Sequence, residues 1–373
     1  MNEDKVYDCA IIGGGLAGLC LSIQLAQKGF DVVLIEKNSY PFHKVCGEYI
    51  SLESWDFLTR LGIPLEQMNL PIIKNLSITS ENGFKVSALL DLGGFGISRF
   101  NLDEKLATRA KQVGVLLLEN TTAKNVTLEN DIYTITTNSL KLKSKLAFGS
   151  FGKISPSYIS GENSAKKGAY LGVKYHIKTT FPNDLIELHN FKDGYCGISK
   201  IDNDTYCLCY LTTVKNLKDN SNSIYEMEKN VLMKNPYLKK IFTESTFLFD
   251  KPLAISQIGF NKKKTYTNNL IMLGDAAGAI APLCGNGMSI ALRTSHFLSE
   301  YVAKFLEHKI SKQELIDKYN KQWNANFSTR IKTGFYLQEL LGKNFLTLMS
   351  LKILNAFPNV LNKLISLTHG KSF

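Results

Sequence analysis

Val6-Tyr7-Asp8-Cys9-Ala10-Ile11-Ile12-Gly13-Gly14-Gly15-Leu16-Ala17-Gly18 is the stretch whose reading decides the fold. Val6 to Ile12 forms an apolar run of strand length. Leu19 to Lys28 carries apolar residues at helical spacing and stops at Gly29. A second apolar run, Val32 to Ile35, ends in Glu36. Strand, glycine turn, helix, strand and acid follow in the order that a dinucleotide site requires. Gly13 permits the tight turn, Gly15 lets the backbone approach a pyrophosphate, and Gly18 lets the helix pack on the strand. The helix N-terminus at Leu16 and Ala17 offers free N–H groups to phosphates. Glu36, eighteen residues after Gly18, stands where a carboxylate can accept hydrogen bonds from ribose hydroxyls.

A second pattern near the other end selects the dinucleotide. Asn269 to Leu273 reads as a buried strand running into Gly274-Asp275, followed by Pro282 and Gly285-Asn286-Gly287-Met288. Asp275 can bind a sugar hydroxyl of an extended cofactor. Gly285 and Gly287 let backbone N–H groups reach a flavin edge, and the helix after Met288 aims its positive end there. An NAD site needs only the first fingerprint. Two fingerprints roughly 260 residues apart imply a longer ligand, FAD.

The pair of fingerprints resembles those of the flavoprotein monooxygenase superfamily of the para-hydroxybenzoate hydroxylase fold. Pro41 to Glu48, with Lys44, Cys46 and Gly47, is similar to the Lys-x-Cys-Gly segment of its geranylgeranyl reductase branch. Ile97 to Leu106 resembles the segment whose arginine, here Arg99, reaches the cofactor. The resemblance implies an α/β fold: a Rossmann-like FAD domain interleaved with a β-sheet substrate domain, plus C-terminal helices. It implies noncovalent FAD, with Lys37 and Ala123 joining the cofactor set and Cys46 beside the flavin. Cys46 and Tyr195 are the candidate catalytic residues. Cys284, one residue before Gly285, is a second thiol near the ring. His43 reads as a loop or phosphate contact.

The chain departs from the superfamily in three places. Phe148 stands where an aspartate that touches FAD and the nicotinamide donor is expected. That counts against direct use of NAD(P)H, which stays a candidate donor. Gly194 to Ser199 keeps a tyrosine of the reductase cavity motif, Tyr195, and loses its tryptophan. Flavin halogenases carry a Trp-x-Trp-x-x-Pro, whereas this chain has only Trp55 and Trp323, far apart.

Composition bounds the rest. The chain has 373 residues, 44% hydrophobic and 21% charged, which is globular and suits two interleaved domains. No run reaches the ~20 apolar residues of a membrane-spanning helix. The N-terminus enters a strand at once, so no signal peptide is expected. Seven cysteines without metal spacing read as reduced thiols of a cytoplasmic protein. Cys207 and Cys209 would share a strand face, with nothing nearby to complete a zinc site. The net charge of +11 is dispersed apart from Lys262-Lys263-Lys264, and no nucleic-acid motif is present.

The expected domains are 1–70, 98–175 and 257–305 for FAD, 71–97 and 176–256 for the substrate sheet, and 306–373 for helices. One helical insert is expected after Asn222, ending near Pro236. Ser311 to Glu314 forms a capping box. Phe345 to Leu367 reads either as helices covering the sheet or as an apolar, basic surface that touches the inner face of a membrane.

The function expected is an FAD-dependent oxidoreductase acting on a large apolar, unsaturated or aromatic substrate. The substrate is a lipophilic small molecule, free or carrier-bound. Two chemistries fit: hydride transfer to or from an alkene, and oxygen-dependent hydroxylation of an electron-rich ring. An electron carrier without a substrate pocket is the third reading.

Overall fold

The structure, a computed structural model, describes residues 5–159, 170–258, 263–341 and 343–373. Parts of the expected FAD-domain segments, and Lys262 of the lysine run, lie outside the described residues.

Val6–Ile12 is the central strand of an eight-stranded sheet. It pairs in parallel with Val32–Ile35 on one side and with Lys141–Gly149 on the other. Leu116–Leu118 and Leu270–Met272 extend the parallel core outward. The chain builds this sheet first to one side of Val6–Ile12 and then to the other. The crevice at that reversal lies beyond the carboxyl ends of the strands, where open α/β sheets bind ligands. The register aligns those ends: Ile12 sits opposite both Ile35 and Gly149. The helices Leu16–Gln27, Arg99–Gln112 and Gly287–Leu306 pack beside this sheet, the first against the other two. The expected hairpin is present as Ala123–Glu129 and Ile132–Thr137. Asn130 and Asp131 both take positive φ, as a tight two-residue hairpin turn demands.

The second sheet has nine strands and is antiparallel except where Leu185–Phe191 runs parallel to Ile72–Thr79. Tyr170–Lys178 lies in it over its whole length, so the boundary read at 175 falls inside a strand. Tyr49–Ser51, expected in the FAD domain, pairs with the end of Lys85–Gly96 and joins this sheet too. Strand alternation divides its residues. Leu171, Val173, Tyr175 and Ile177 face a small helical layer. Lys174 and His176, on the opposite face, meet the FAD domain.

That helical layer corrects the reading of one insert ending at Pro236. It contains three α-helices, Val214–Asp219, Ile224–Asn230 and Pro236–Glu244. Pro236 begins the last one. Asn235 caps it by accepting from Tyr237 N at 3.0 Å, and proline at the first helical position has no N–H to leave unpaired.

The chain ends in Lys312–Leu341, Asn344–Ala356 and Pro358–Thr368. The capping box forms as its spacing predicts: Ser311 Oγ accepts from Glu314 N at 3.2 Å, and Glu314 Oε2 accepts from Ser311 N at 2.9 Å. The last two helices press Leu351 and Leu361 onto Ile73, Leu76, Ile78 and Val86 of the second sheet. No described helix is long and apolar enough to cross a membrane.

Candidate active site

The glycine turn is built from two closures and one opening. A Cβ on Gly13, where φ is +107°, would lie 2.4 Å from Ser150 O, and one on Gly18 would lie 2.2 Å from Gly13 O. Both glycines therefore let backbone meet backbone. A Cβ on Gly15 would meet nothing within 4 Å, because that face of the turn borders a cavity. Gly47 and Gly152 leave the same kind of opening on the same cavity. A cavity edged by bare backbone and the N-terminus of Leu16–Gln27 fits an extended pyrophosphate.

Glu36 closes one end. Its Oε2 accepts from Gly14 N at 2.8 Å, and its Oε1 accepts from Asn38 N and Nδ2 at 3.0 and 2.9 Å. A carboxylate has about four acceptor positions, so one stays free at the cavity for a hydroxyl. Lys37, Thr121, Thr122 and Ala123 line the cavity beside it. Leu16 and Ala17 line it at the start of the helix.

The opposite wall comes from Ser150 to Gly152 and from Leu273 to Asp275. Phe148, read as standing at the superfamily's aspartate position, does not border the cavity. Phe148 lies within the strand, fully buried opposite Ile11 and Ile271. Phe151, just past the strand end, is the aromatic that borders the cavity. Pro282, Gly285, Gly287 and Met288 continue the wall, and Gly285 takes positive φ as the chain turns into Gly287–Leu306. Asn286 turns away from the cavity: its Nδ2 donates to buried Glu53 at 2.8 Å.

Phe42 to Glu48 forms the third wall. Lys44 Nζ lies 2.9 Å from Asp103, and Arg99 grips the same carboxylate through Nε and Nη2, each at 2.8 Å. Burial raises the Asp103 pKa, but the two cations outweigh it and hold the carboxyl below its ordinary range. Arg99 thus reaches the cavity with its charge already shared. Cys46 Sγ sits 3.6 Å from Met288 Sδ at the cavity wall. Cys284 also lines the cavity, but packs against Gly334, and burial pushes its thiol pKa up to about 12. His43 is part of an aromatic cluster, stacked on Phe100 at 4.6 Å with its edge to His176. Burial first, then the charge of Lys174, lowers its pKa.

Beneath this wall lies a cluster that the sequence did not disclose. Glu48 is fully buried with φ +56°, a left-handed conformation that costs a non-glycine residue about 1–3 kcal/mol. Its carboxylate accepts from Lys174 Nζ at 2.5 Å, His176 Nε2 at 2.6 Å and Arg99 N at 2.7 Å. Burial raises the Glu48 pKa, but the His176 hydrogen bond and the Lys174 charge prevail and lower it. Cys207 Sγ joins the cluster and donates to Cys46 O at 3.3 Å. Glu48, His176 and Cys207 bring metal-type ligand atoms within 4.8 Å of one another, residues that the sequence keeps far apart. Lys174 already supplies the cation there. Lys174 and His176 stand two apart on one strand, so period-two spacing puts them on one face. Only the fold brings residue 48 to them.

The cavity extends past the flavin-edge residues into the second sheet. Its volume is about 1150 Å³. That exceeds the roughly 300–1,000 Å³ of pockets for a single small molecule. Tyr195, buried on this wall, has its hydroxyl pKa raised well above ordinary by burial. Beyond it the lining is aliphatic: Leu76, Leu90, Leu188, Leu354, Leu361 and Ile365. Trp55 and Trp323 pack elsewhere, against Phe95 and Phe327.

Comparison with known proteins agrees with this geometry. Residues 11–45 match the model of the NAD(P)-binding Rossmann-like domain. The conditioned medium factor receptor 1 of Dictyostelium discoideum is 28% identical over 87% of this chain and 69% of its own. The digeranylgeranylglycerophospholipid reductase of Methanocaldococcus jannaschii is 24% identical over 91% of this chain and 88% of its own. A solved flavin-dependent brominase has the same fold, with a TM-score of 0.77 and 15% identity, covering 98% of this chain and 93% of its own.

Fold, glycine cradle and relatives together define an FAD-dependent oxidoreductase with an FAD-type Rossmann domain. Its fold is that of solved flavin-dependent halogenases and of a geranylgeranyl bacteriochlorophyll reductase-like protein, and its sequence is similar to digeranylgeranylglycerophospholipid reductases.

Proposed function

We propose that this chain holds FAD noncovalently and reduces, or in reverse forms, a carbon–carbon double bond in a long apolar substrate. The observation that carries the reading is the single cavity running from the glycine cradle to the aliphatic wall of the second sheet and the C-terminal helices. An electron carrier needs no such space. The name of the methanogen relative, a reductase of a geranylgeranyl lipid, agrees with a substrate of this shape.

Gly15, Leu16 and Ala17 would cradle the pyrophosphate, Glu36 one ribose, and Asp275 the linking sugar chain. Reduced FAD supplies the hydride when bound. Gly47 leaves room for a flat ring to lie against backbone. Cys46 is held at that wall by Met288, where its thiol can hand a proton to the second alkene carbon and regain one from solvent. Tyr195 and the aliphatic lining orient the chain and exclude water. Lys174 and Glu48 fix the segment that carries Cys46.

The test is anaerobic. The reduced protein is mixed with a detergent-dispersed geranylgeranyl lipid, and flavin reoxidation is followed together with saturation of the lipid by mass spectrometry. Reoxidation coupled to saturation is expected. No reoxidation by the lipid under these conditions, but reoxidation in a second mix with oxygen and an electron-rich aromatic that yields a hydroxylated aromatic, would establish the monooxygenase reading instead. Bleaching by NADPH compared with dithionite identifies whether NAD(P)H is the donor. Cys46→Ser should keep the flavin and lower turnover at least ~10-fold, about 1.4 kcal/mol in barrier. Parent-like turnover in Cys46→Ser would reduce the cysteine to a packing residue.

A further inference from the structure

Water-exposed apolar residues concentrate where the chain ends, and they are ordered. In Asn344–Ala356, Phe345 (73% exposed), Met349 and Ile353 recur at i, i+4 and i+8, with Lys352 on the same stripe. In Pro358–Thr368, Val360, Lys363 and Leu367 recur at i, i+3 and i+7. Phe357, 61% exposed, lies between the two helices. The inner faces are committed elsewhere, since Leu351 and Leu361 are buried on the second sheet. Both helices are thus apolar inside and apolar again outside. Contiguous apolar surface of this kind on a water-soluble face marks a contact site. Its charge is one-sided: residues 340–373 contain Lys343, Lys352, Lys363 and Lys371 and no Asp or Glu.

We propose that this outer face docks on an anionic phospholipid bilayer. Apolar side chains would enter the boundary of the acyl region while the lysines meet lipid phosphates, the pattern of helices that lie in a membrane interface. The positive charge singles out an anionic partner, and the apolar stripes require that partner to offer hydrocarbon. Ile353 is 53% exposed and also lines the cavity, so the cavity opens on this face. Ser350, Leu354 and Ile365 line it from the same two helices. An apolar substrate therefore reaches the flavin from the bilayer without crossing water. That entry step rests on the apolar-substrate reading above; the docking does not.

The full chain with bound FAD is sedimented with large unilamellar vesicles of phosphatidylcholine alone or with 30% phosphatidylglycerol, a composition of about one anionic lipid in three. Binding is expected to the anionic vesicles, to weaken at least ~10-fold between 0.05 and 0.5 M salt as charges are screened, and to be weak on phosphatidylcholine. Phe345→Ser/Met349→Ser/Phe357→Ser should lose at least ~10-fold in vesicle affinity while keeping FAD and turnover of detergent-dispersed lipid. Lys352→Gln/Lys363→Gln should lose the preference for phosphatidylglycerol. No binding of the parent chain to anionic vesicles would overturn the proposal, as would parent-like binding by the triple variant. A parent that is dimeric by analytical ultracentrifugation and binds no vesicles, with a monomeric triple variant, would assign the face to a second copy of this chain. Failure of lipid reduction with vesicle binding intact would strike the substrate reading alone.

Discussion

Gly15→Val is expected to give a folded, colourless protein. The expectation depends on the direction in which the side chain would grow. Gly15 has φ −80° and ψ −177°, ordinary extended backbone that valine adopts without strain. Its Cβ would meet no protein atom within 4 Å. The isopropyl group would project into the cavity edge where a pyrophosphate must meet backbone N–H groups. Loss of FAD affinity of at least ~100-fold is expected, about 2.8 kcal/mol at 1.4 kcal/mol per decade. Glu36→Ala, which removes one charged hydrogen bond to a ribose, should cost about 1–3 kcal/mol of FAD affinity. Gly13→Val supplies the contrast: its side chain would run into Ser150 backbone with φ at +107°, so the fold itself should suffer. Flavin content, circular dichroism and FAD titration separate the three. A yellow Gly15→Val protein with parent-like affinity would place the cofactor elsewhere.

Glu48→Gln is the second large effect, on stability. Lys174 has no exposed side-chain surface, and Glu48 is its counter-ion at 2.5 Å. Removing one partner of a buried ion pair leaves a bare charge and costs about 3–5 kcal/mol. That is a large part of the ~5–15 kcal/mol that holds a typical domain folded. Glu48→Gln/Lys174→Met should recover much of the loss, because it removes both charges. The pH dependence has a definite sign. The Glu48 pKa is lowered in the folded state, so its contribution is present above the unfolded value of about 4.3 and is lost as pH falls through the folded value. The Lys174 pKa is raised, so its contribution is present below about 10.4 and is lost as pH rises through the folded value. Urea midpoints across pH should show a plateau between these limits in the parent. In Glu48→Gln, this carboxylate's share of the acid-side loss should vanish. An unchanged midpoint at pH 7 would show that Lys174 is not held by this pair.

What a sequence discloses depends on range along the chain. The glycine turn was legible because each requirement falls within a few residues: a strand end, a positive φ at Gly13, and helix packing at Gly18. The capping box at Ser311 and Glu314 was legible for the same reason. Pro236 is ambiguous in the sequence because proline is compatible both with stopping one helix and with starting the next. Asn235, with its cap bonds, decides which. That Phe148 stays inside its strand is not legible locally, because a run of apolar residues does not announce where its strand ends. Pairing with Ile12 and Met272 fixes that end at Gly149, and so brings Phe151 to the cavity.

The sequence by itself determined the cofactor class, the order of strand and helix around it, and Glu36 as the acid at the end of the second strand. These are local patterns whose geometry follows from backbone dihedrals and side-chain periodicity. Tertiary structure alone decided the partners of Glu48, Lys174 and His176, which lie 126 and 128 positions from residue 48. It also decided that the C-terminal helices close a cavity on one side and leave an apolar, lysine-bearing face on the other. Burial of a charge or exposure of a phenylalanine depends on which distant surfaces meet, and amphipathic spacing does not record which of two apolar faces will be covered.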